Sequence, residues 1–375
     1  MQSASLDSLF TPALLLDRAR MLANIERMRA QAARFPHVRL RPHLKTNKCI
    51  PVARMVAGED DPITVSTLQE AERFHQAGYR DILYAVGIAP AKLPRVAALI
   101  RAGAQMTIIL DSLATAEAVA EFAGREELAV PTLIEIDTDG HRGGLSPDDP
   151  LIVEIGRRLG PNLVGVLTHA GGSYDARTHE EIRRYARMER DGIVAAATML
   201  RDAGLTCKIV SMGSTPTALF AESLDGVTEL RAGVYVFQDL VMAGVSACTV
   251  DEIAISVLTS VIGHKPERGW LLVDAGWMAM SRDRGTQNQA MDMGFGLVCD
   301  RYGTPIGDLV ISSANQEHGI ITSRSGQPID PDRFPIGTRL RILPNHACAT
   351  AAQFPAYNVI ADGLVVARWE RFSHW

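Results

Sequence analysis

The sequence predicts an α/β protein: a (β/α)8 TIM barrel followed by an antiparallel β domain. Three observations carry this. Short apolar runs alternate with amphipathic stretches of helical period through the first two thirds of the 375-residue chain. Polar clusters recur at the ends of many of these runs. A barrel collects such residues on one face, whereas an open doubly wound sheet, the alternative, concentrates them at one switch point. After about residue 250 the pattern changes to period two, with turns rich in Gly, Pro and Asp. The expected division is a barrel over residues 14–250 and a β domain formed by 1–13 plus 251–375.

In chain order, the first barrel strand is read at Ala13–Asp17, followed by a helical stretch to Ala33. Val38–Leu40 is next and runs into Arg41-Pro42-His43-Leu44-Lys45-Thr46-Asn47-Lys48, ahead of a helix that starts near Cys49. Further strands are read at Ile63–Ser66, Ile82–Val86, Met106–Leu110, Thr132–Ile136, Val164–Leu167 and Lys208–Ser211, with Gly233–Phe237 as a ninth candidate. Between them, Leu68–Ala77 and Glu180–Ala203 have helical period. Gly78, Gly103 and Gly204 stand where a left-handed C-cap is wanted. In the β domain the alternating runs are Ile255–Val261, Trp270–Asp274, Leu309–Ser312, Thr338–Leu343 and Val365–Trp369.

Composition narrows the function classes. The net charge of −5 with interspersed signs gives no nucleic-acid or membrane-facing basic surface. No apolar run approaches the ~18 residues of a membrane span, and the N-terminus lacks the pattern of a signal peptide. The five scattered cysteines (49, 207, 248, 299 and 348) lack CxxC spacing, which fits a reducing cytoplasm rather than a disulfide framework.

Several clusters could carry chemistry. Lys45 sits at a strand's C-terminal end beside Arg41 and His43. Cationic neighbours and partial burial favour an amine nucleophile there, and a solvated basic loop is the competing reading. Arg142, in the Glu135–Gly144 segment, could meet an anionic oxygen, and His169 to Tyr174 follow another strand. Gly213-Ser214-Thr215 open a helix with small residues and hydroxyls, which suits a phosphate or a plain helix cap. Gly233 and Tyr235 could add to the same phosphate contact. His346 and Cys348, two apart on a segment read as extended, would point the same way. Imidazole and thiolate suit Zn2+, with a core His/Cys pair as the bland alternative. Asn315 to Gly319 is a second polar cluster, and Asp274 to Gly285 reads as an ordered functional or interface loop.

Together these motifs resemble the alanine-racemase-like (fold-type III) pyridoxal-phosphate enzymes, in the branch holding D-serine dehydratase and D-threonine aldolase. Arg41 to Thr46 is similar to the branch's RPHxKT segment, whose lysine forms the Schiff base, here Lys45. The resemblance implies cofactor contacts at Arg142, His169, Tyr174, Gly213, Ser214, Thr215, Gly233 and Tyr235, and a metal pair at His346 and Cys348. It implies pyridoxal 5'-phosphate and Zn2+, with Mn2+ or Co2+ as alternatives. The cysteine favours a dehydratase, since the branch's aldolases carry H-x-D and prefer harder cations. The expected reaction is α,β-elimination of a D-3-hydroxy amino acid to a 2-oxo acid and ammonia. D-threo-3-hydroxyaspartate is the foremost substrate, ahead of D-serine and D-threonine. An aldolase on the same scaffold and a non-catalytic cofactor carrier are the competing readings. Arg282, Arg284 or His318 would meet a distal carboxylate. The resemblance also implies a head-to-tail homodimer, each active site lying between one barrel and the partner's β domain.

Overall fold

The structure, a computed structural model, describes residues 4–375. The chain forms two compact units, Arg27–Gly233 with His374–Trp375, and Met1–Glu26 with Val234–Ser373. Of the expected β-domain segment 1–13, residues 1–3 lie outside the described residues.

The first unit is the expected α/β barrel. Its eight parallel strands run in the order Arg39–Leu40, Glu229–Leu230, Ile209–Met212, Leu163–Thr168, Thr132–Ile136, Gln105–Leu110, Asp81–Gly87 and Ile63–Val65. A parallel bridge between His43 and Thr64 joins the two edges and closes the ring. The segment after Leu40 is held from both sides. Arg41 and His43 donate their N–H groups to Leu230 O (2.9 Å) and Ala232 O (2.7 Å), while Leu44 donates to Thr64 O (2.9 Å). Lys45 therefore emerges from a clamped strand end rather than from a loose loop.

Two strand assignments differ from expectation. Ala13–Asp17 is not a barrel strand: it pairs antiparallel with Ile255–Leu258 and parallel with Asn358–Ile360. Leu14, Leu15 and Leu16 are all fully buried. A strand covered on both faces reads as a continuous apolar run in either kind of sheet, so periodicity alone does not separate them. The eighth barrel strand is instead Glu229–Leu230, and Gly233–Phe237 is not a strand, since Val234–Val236 forms a 3-10 turn. Glu229 hid that strand from a hydrophobicity reading. Its buried carboxylate holds Arg41 in a two-point pair, Oε1–Nη2 2.7 Å and Oε2–Nε 2.9 Å. Asp81 adds a third contact to Arg41 at 2.7 Å.

Arg41 is thus a buried tie across the barrel, committed to carboxylates, and not a neighbour that tunes Lys45. Replacing it alone leaves Glu229 buried and unpaired. Arg41→Met should lower unfolding free energy by about 3–5 kcal/mol in urea titrations. A double Arg41→Met/Glu229→Gln variant should recover part of that loss.

The second unit contains a ten-stranded sheet. Within it, Ile255–Lys265, Trp270–Val273, Gly319–Ser323, Pro305–Ala314, Leu297–Cys299 and Arg339–Leu343 form an antiparallel ring, closed by pairing of the last with the first. Ala13–Asp17, Ala356–Ala361, Leu364–Glu370 and Ala4–Ser5 extend it from Ile255–Lys265. Strands Leu297–Cys299, Gly319–Ser323 and Ala356–Ala361 were not foreseen. The first is three residues long, too short to show a period. The cluster at Asn315–His318 is the hairpin loop that joins two of these strands, closed by Asn315 N–H to His318 O at 2.8 Å. All five cysteines are free, and among the described residues no helix is long and apolar enough to cross a membrane.

Candidate active site

In the barrel unit the residues singled out from the sequence gather at the C-terminal ends of the strands. His43 lies beneath Lys45. Its Nδ1 accepts the Lys45 backbone N–H at 3.4 Å, and its Nε2 is 3.4 Å from Ser66 Oγ. Burial, and then the charges of Lys45 and Arg231, hold its pKa well below the usual histidine range. His169 follows the strand Leu163–Thr168. Its Nδ1 is 3.0 Å from Gly213 O, so Nδ1 carries the proton and donates. Burial, with Lys45 next, brings its pKa down to about 3. Both imidazoles are therefore neutral. Tyr174 stands beside His169 with ring centroids 6.1 Å apart.

Lys48 is removed from contention by its own contacts. Its Nζ pairs with Glu70 Oε1 at 3.1 Å. Glu70 is buried and also takes the Ser66 N–H at 3.0 Å. That pair fastens the end of the Lys45 segment to the neighbouring strand–helix loop.

Gly213 has φ +134°, and a Cβ there would lie 2.1 Å from Arg231 O. Only glycine lets these two chains approach so closely. Ser214 caps the helix Thr215–Phe220 in a capping box with Thr217. Its Oγ is 2.8 Å from Ser173 Oγ, which joins the His169–Tyr174 segment to the cap. Gly233 lies against His43, where a Cβ would be 2.8 Å from His43 O. Arg142 is largely exposed, 3.6 Å from Glu135 Oε1. Burial raises the Glu135 pKa, with Arg142 opposing. The loop bearing Arg142 is held to the His169 loop by Gly172 N–H to Asp139 Oδ2 at 2.7 Å.

Sequence reasoning undervalued two residues here. Arg231 is buried and donates to Ser211 Oγ (2.9 Å) and Thr168 O (2.5 Å); burial lowers its pKa to about 10. Glu189 was missed although it lies on the buried stripe of helix His179–Asp202 with Ile182, Ala186 and Ile193. A carboxylate at a core position of an amphipathic helix was the available signal.

In the β unit, His346 is the N-cap of the short helix Ala347–Ala351. The expected extended H-x-C segment is therefore a strand-to-helix turn. The two side chains still meet, because Cys348 hydrogen-bonds the imidazole. His346 Nδ1 lies 2.6 Å from Asp283 Oδ2. Burial works against a charge on His346, but Cys348, Asp283 and Asp239 outweigh it and push its pKa up to about 11. The bond to His346 holds the Asp283 pKa below the usual carboxylate range. Asp239 Oδ2 accepts the Ala347 N–H at 2.9 Å, which fixes the residue between the pair. Asn345 Nδ2 donates to Gly294 O at 2.7 Å.

The roles of Asp283, which lies in the Asp274–Gly285 loop, and of Asp239 were hidden because their partners are distant in sequence. Tyr235 is buried in the turn Val234–Val236 of this unit. Arg284 pairs with Asp292 at 2.7 Å. Arg282 is exposed over the Trp277 ring, 4.6 Å from its centroid, and His318 is exposed.

A (β/α)8 unit with a lysine at its strand ends, joined to a closed antiparallel barrel, defines the class. The chain belongs to the alanine racemase, N-terminal domain family, which matches residues 16–240. Residues 254–360 match a second family, described as "Putative serine dehydratase domain". The chain is 54% identical to D-threo-3-hydroxyaspartate dehydratase of Delftia sp. (strain HT23), over 98% of each chain. It is 30% identical to D-serine dehydratase of Dictyostelium discoideum, covering 99% of this chain and 98% of that protein. The solved structure of the Delftia enzyme matches with a TM-score of 0.96 at 53% identity, covering 99% of this chain and 100% of that one. A cysteine-to-alanine variant of that enzyme, described as in the metal-free form, matches with the same TM-score and identity.

Proposed function

We propose that this chain is a dehydratase that uses pyridoxal 5'-phosphate and Zn2+ to convert D-threo-3-hydroxyaspartate to oxaloacetate and ammonia. The observation that carries it is the His346–Cys348 pair with Asp283 on the imidazole. A carboxylate on Nδ1 leaves Nε2 to face a metal, and imidazole with thiolate is a soft donor set that suits Zn2+. Among the described residues no cluster of three or more His, Cys, Asp or Glu forms a candidate metal site. Two protein ligands fit a metal that keeps positions open for substrate rather than a closed structural site. The barrel's donor set fits the other group: a lysine amine, a neutral imidazole in His169 and the paired Ser173 and Ser214 hydroxyls. Lys45 would carry the cofactor. Arg142, His169 and Tyr174 would line it, and Gly213, Ser214, Thr215, Gly233 and Tyr235 are the proposed phosphate contacts.

When bound, pyridoxal phosphate supplies a sink for the charge left at Cα, and Zn2+ supplies a Lewis acid for the β-hydroxyl. The residues do the rest. Lys45 Nζ takes the proton from substrate Cα. Burial disfavours a proton on His43 and His169, so they do not compete for it. The Cβ–O bond breaks, and the hydroxide takes up one proton, matching the one Lys45 removed from Cα, and leaves as water. The resulting enamine takes up one water to give the 2-oxo acid and ammonia. A homodimer belongs to the same proposal, and sedimentation of the holoenzyme tests it.

Of the three groups considered for the distal carboxylate, Arg284 is already paired with Asp292. Arg282 is the better candidate. Arg282→Ala should raise KM for 3-hydroxyaspartate about tenfold, the scale of one charged hydrogen bond. KM for D-serine, which lacks that carboxylate, should change by less than about twofold. An equal rise for both substrates would remove Arg282 from this role. The proposal as a whole is tested by assaying 2-oxo acid and ammonia from a panel of D-3-hydroxy amino acids, with EDTA and with added Zn2+.

A further inference from the structure

We propose that Glu189 is a positioning residue for the cofactor end of the barrel. Its single buried carboxylate fixes the His169 loop and the Gly213–Thr217 turn to one helix, and so sets the shape in which a phosphate is held. This rests on the pyridoxal-phosphate reading above.

Glu189 is fully buried in the middle of helix His179–Asp202. Its stripe is otherwise apolar, with Ile182, Ala186, Ile193 and Ala196 on the same buried face. A carboxylate there carries a large desolvation cost unless every oxygen is satisfied. Here they are. Oε1 accepts two backbone N–H groups, from Ala170 and Gly213, each at 2.9 Å. Oε2 accepts the Thr217 hydroxyl at 2.7 Å. The three donors come from two separate strand-to-helix connections, so the carboxylate ties both to the helix, beside the His169–Gly213 and Ser173–Ser214 bonds that also join them.

Both consequences reach the site. Gly213 is held at each end of its peptide group, its N–H by Glu189 and its C=O by His169 Nδ1–H. Glu189 therefore fixes the acceptor that keeps His169 in its Nδ1–H tautomer. Thr217 gives its hydroxyl proton to Glu189, and its oxygen accepts the Ser214 N–H at 3.0 Å. That leaves the Ser214 Oγ oriented toward Ser173 at 2.8 Å. An apolar residue would pack on this helix face equally well, but it would leave two backbone N–H groups buried without acceptors.

The test uses the full-length chain, Glu189→Asp and Glu189→Gln. Aspartate keeps the charge and the fold, but it is one methylene short and cannot reach all three donors. Glutamine keeps Oε1 for the two backbone N–H groups and can donate to Thr217 Oγ1. Hydrogen exchange is followed on the cofactor-free chain across residues 168–175 and 211–218. Affinity is then measured for pyridoxal phosphate and for pyridoxal, which lacks the phosphate. Glu189→Asp should speed exchange in both segments together. It should weaken pyridoxal phosphate about tenfold or more, and pyridoxal less than about threefold. Glu189→Gln should stay near the parent in both measurements. Unchanged exchange in either segment, or equal weakening of the two ligands, overturns the proposal. Should the parent itself take up no pyridoxal phosphate, the cofactor reading fails, and the paired exchange response still decides whether Glu189 joins the two segments.

Discussion

Lys45→Ala should cut turnover of 3-hydroxyaspartate by at least about 10^4-fold, because it removes both the cofactor's anchor and the base for Cα–H. Lys48→Ala, three residues on, should keep turnover within about tenfold of the parent. The structure gives the reason for the difference. Lys48 is spent on buried Glu70 at 3.1 Å. Lys45 follows a strand end clamped by Ala232 and Thr64, with the His43 ring receiving its backbone N–H. Burial disfavours the imidazolium form of His43 and His169, so both are weak bases and poor replacements for the missing amine. Borohydride treatment offers a second readout. It should fix the cofactor to the parent and to Lys48→Ala, and release none to fix in Lys45→Ala. Covalent fixing to the Lys45→Ala chain would contradict the assignment.

Cys348→Ala should leave the protein folded, strip it of Zn2+ and lower turnover by about 10^3-fold, the loss of a Lewis acid at the leaving group. Cys348 is partly buried in the helix Ala347–Ala351, and alanine fits both that helix and its volume. The loss is chemical rather than structural, so thermal unfolding should shift little while metal content falls. Cys348→Asp should replace the Zn2+ preference with one for harder cations such as Mn2+. Asp283→Asn should give an intermediate effect, weakening metal affinity about 10–100-fold, since Asp283 only orients His346. Full Zn2+ retention in Cys348→Ala would exclude the cysteine as a ligand.

The fold was legible wherever burial followed a simple period. The barrel strands from Ile63 to Met212 and the helices Leu68–Gln76 and His179–Asp202 fall close to where the alternation put them. It failed where pairing partners, not periodicity, decide. Ala13–Asp17 carries the pattern of a barrel strand and joins the antiparallel sheet, because Ile255–Leu258 and Asn358–Ile360 flank it. Glu229–Leu230 is invisible to a hydrophobicity reading, because its first residue is a charged partner for Arg41.

The site shows the same division. Lys45, His169, Ser214, His346 and Cys348 stand in short local motifs that a resemblance can carry. Glu189, Arg231, Asp239 and Asp283 act through partners that are, in the last two, 108 and 63 residues away. Nothing near them in the chain names those partners, although Glu189 stands on the apolar stripe of its helix and Asp283 in a polar loop. Arg41 opens the right motif and performs a different task, which only its contacts with Glu229 and Asp81 disclose.

The most direct test of the account is a product analysis with purified holoenzyme and D-threo-3-hydroxyaspartate. Oxaloacetate and ammonia are expected in equal amounts, with formation abolished by EDTA and restored by Zn2+. Glycine and glyoxylate in equal amounts would mean Cα–Cβ cleavage and would contradict it.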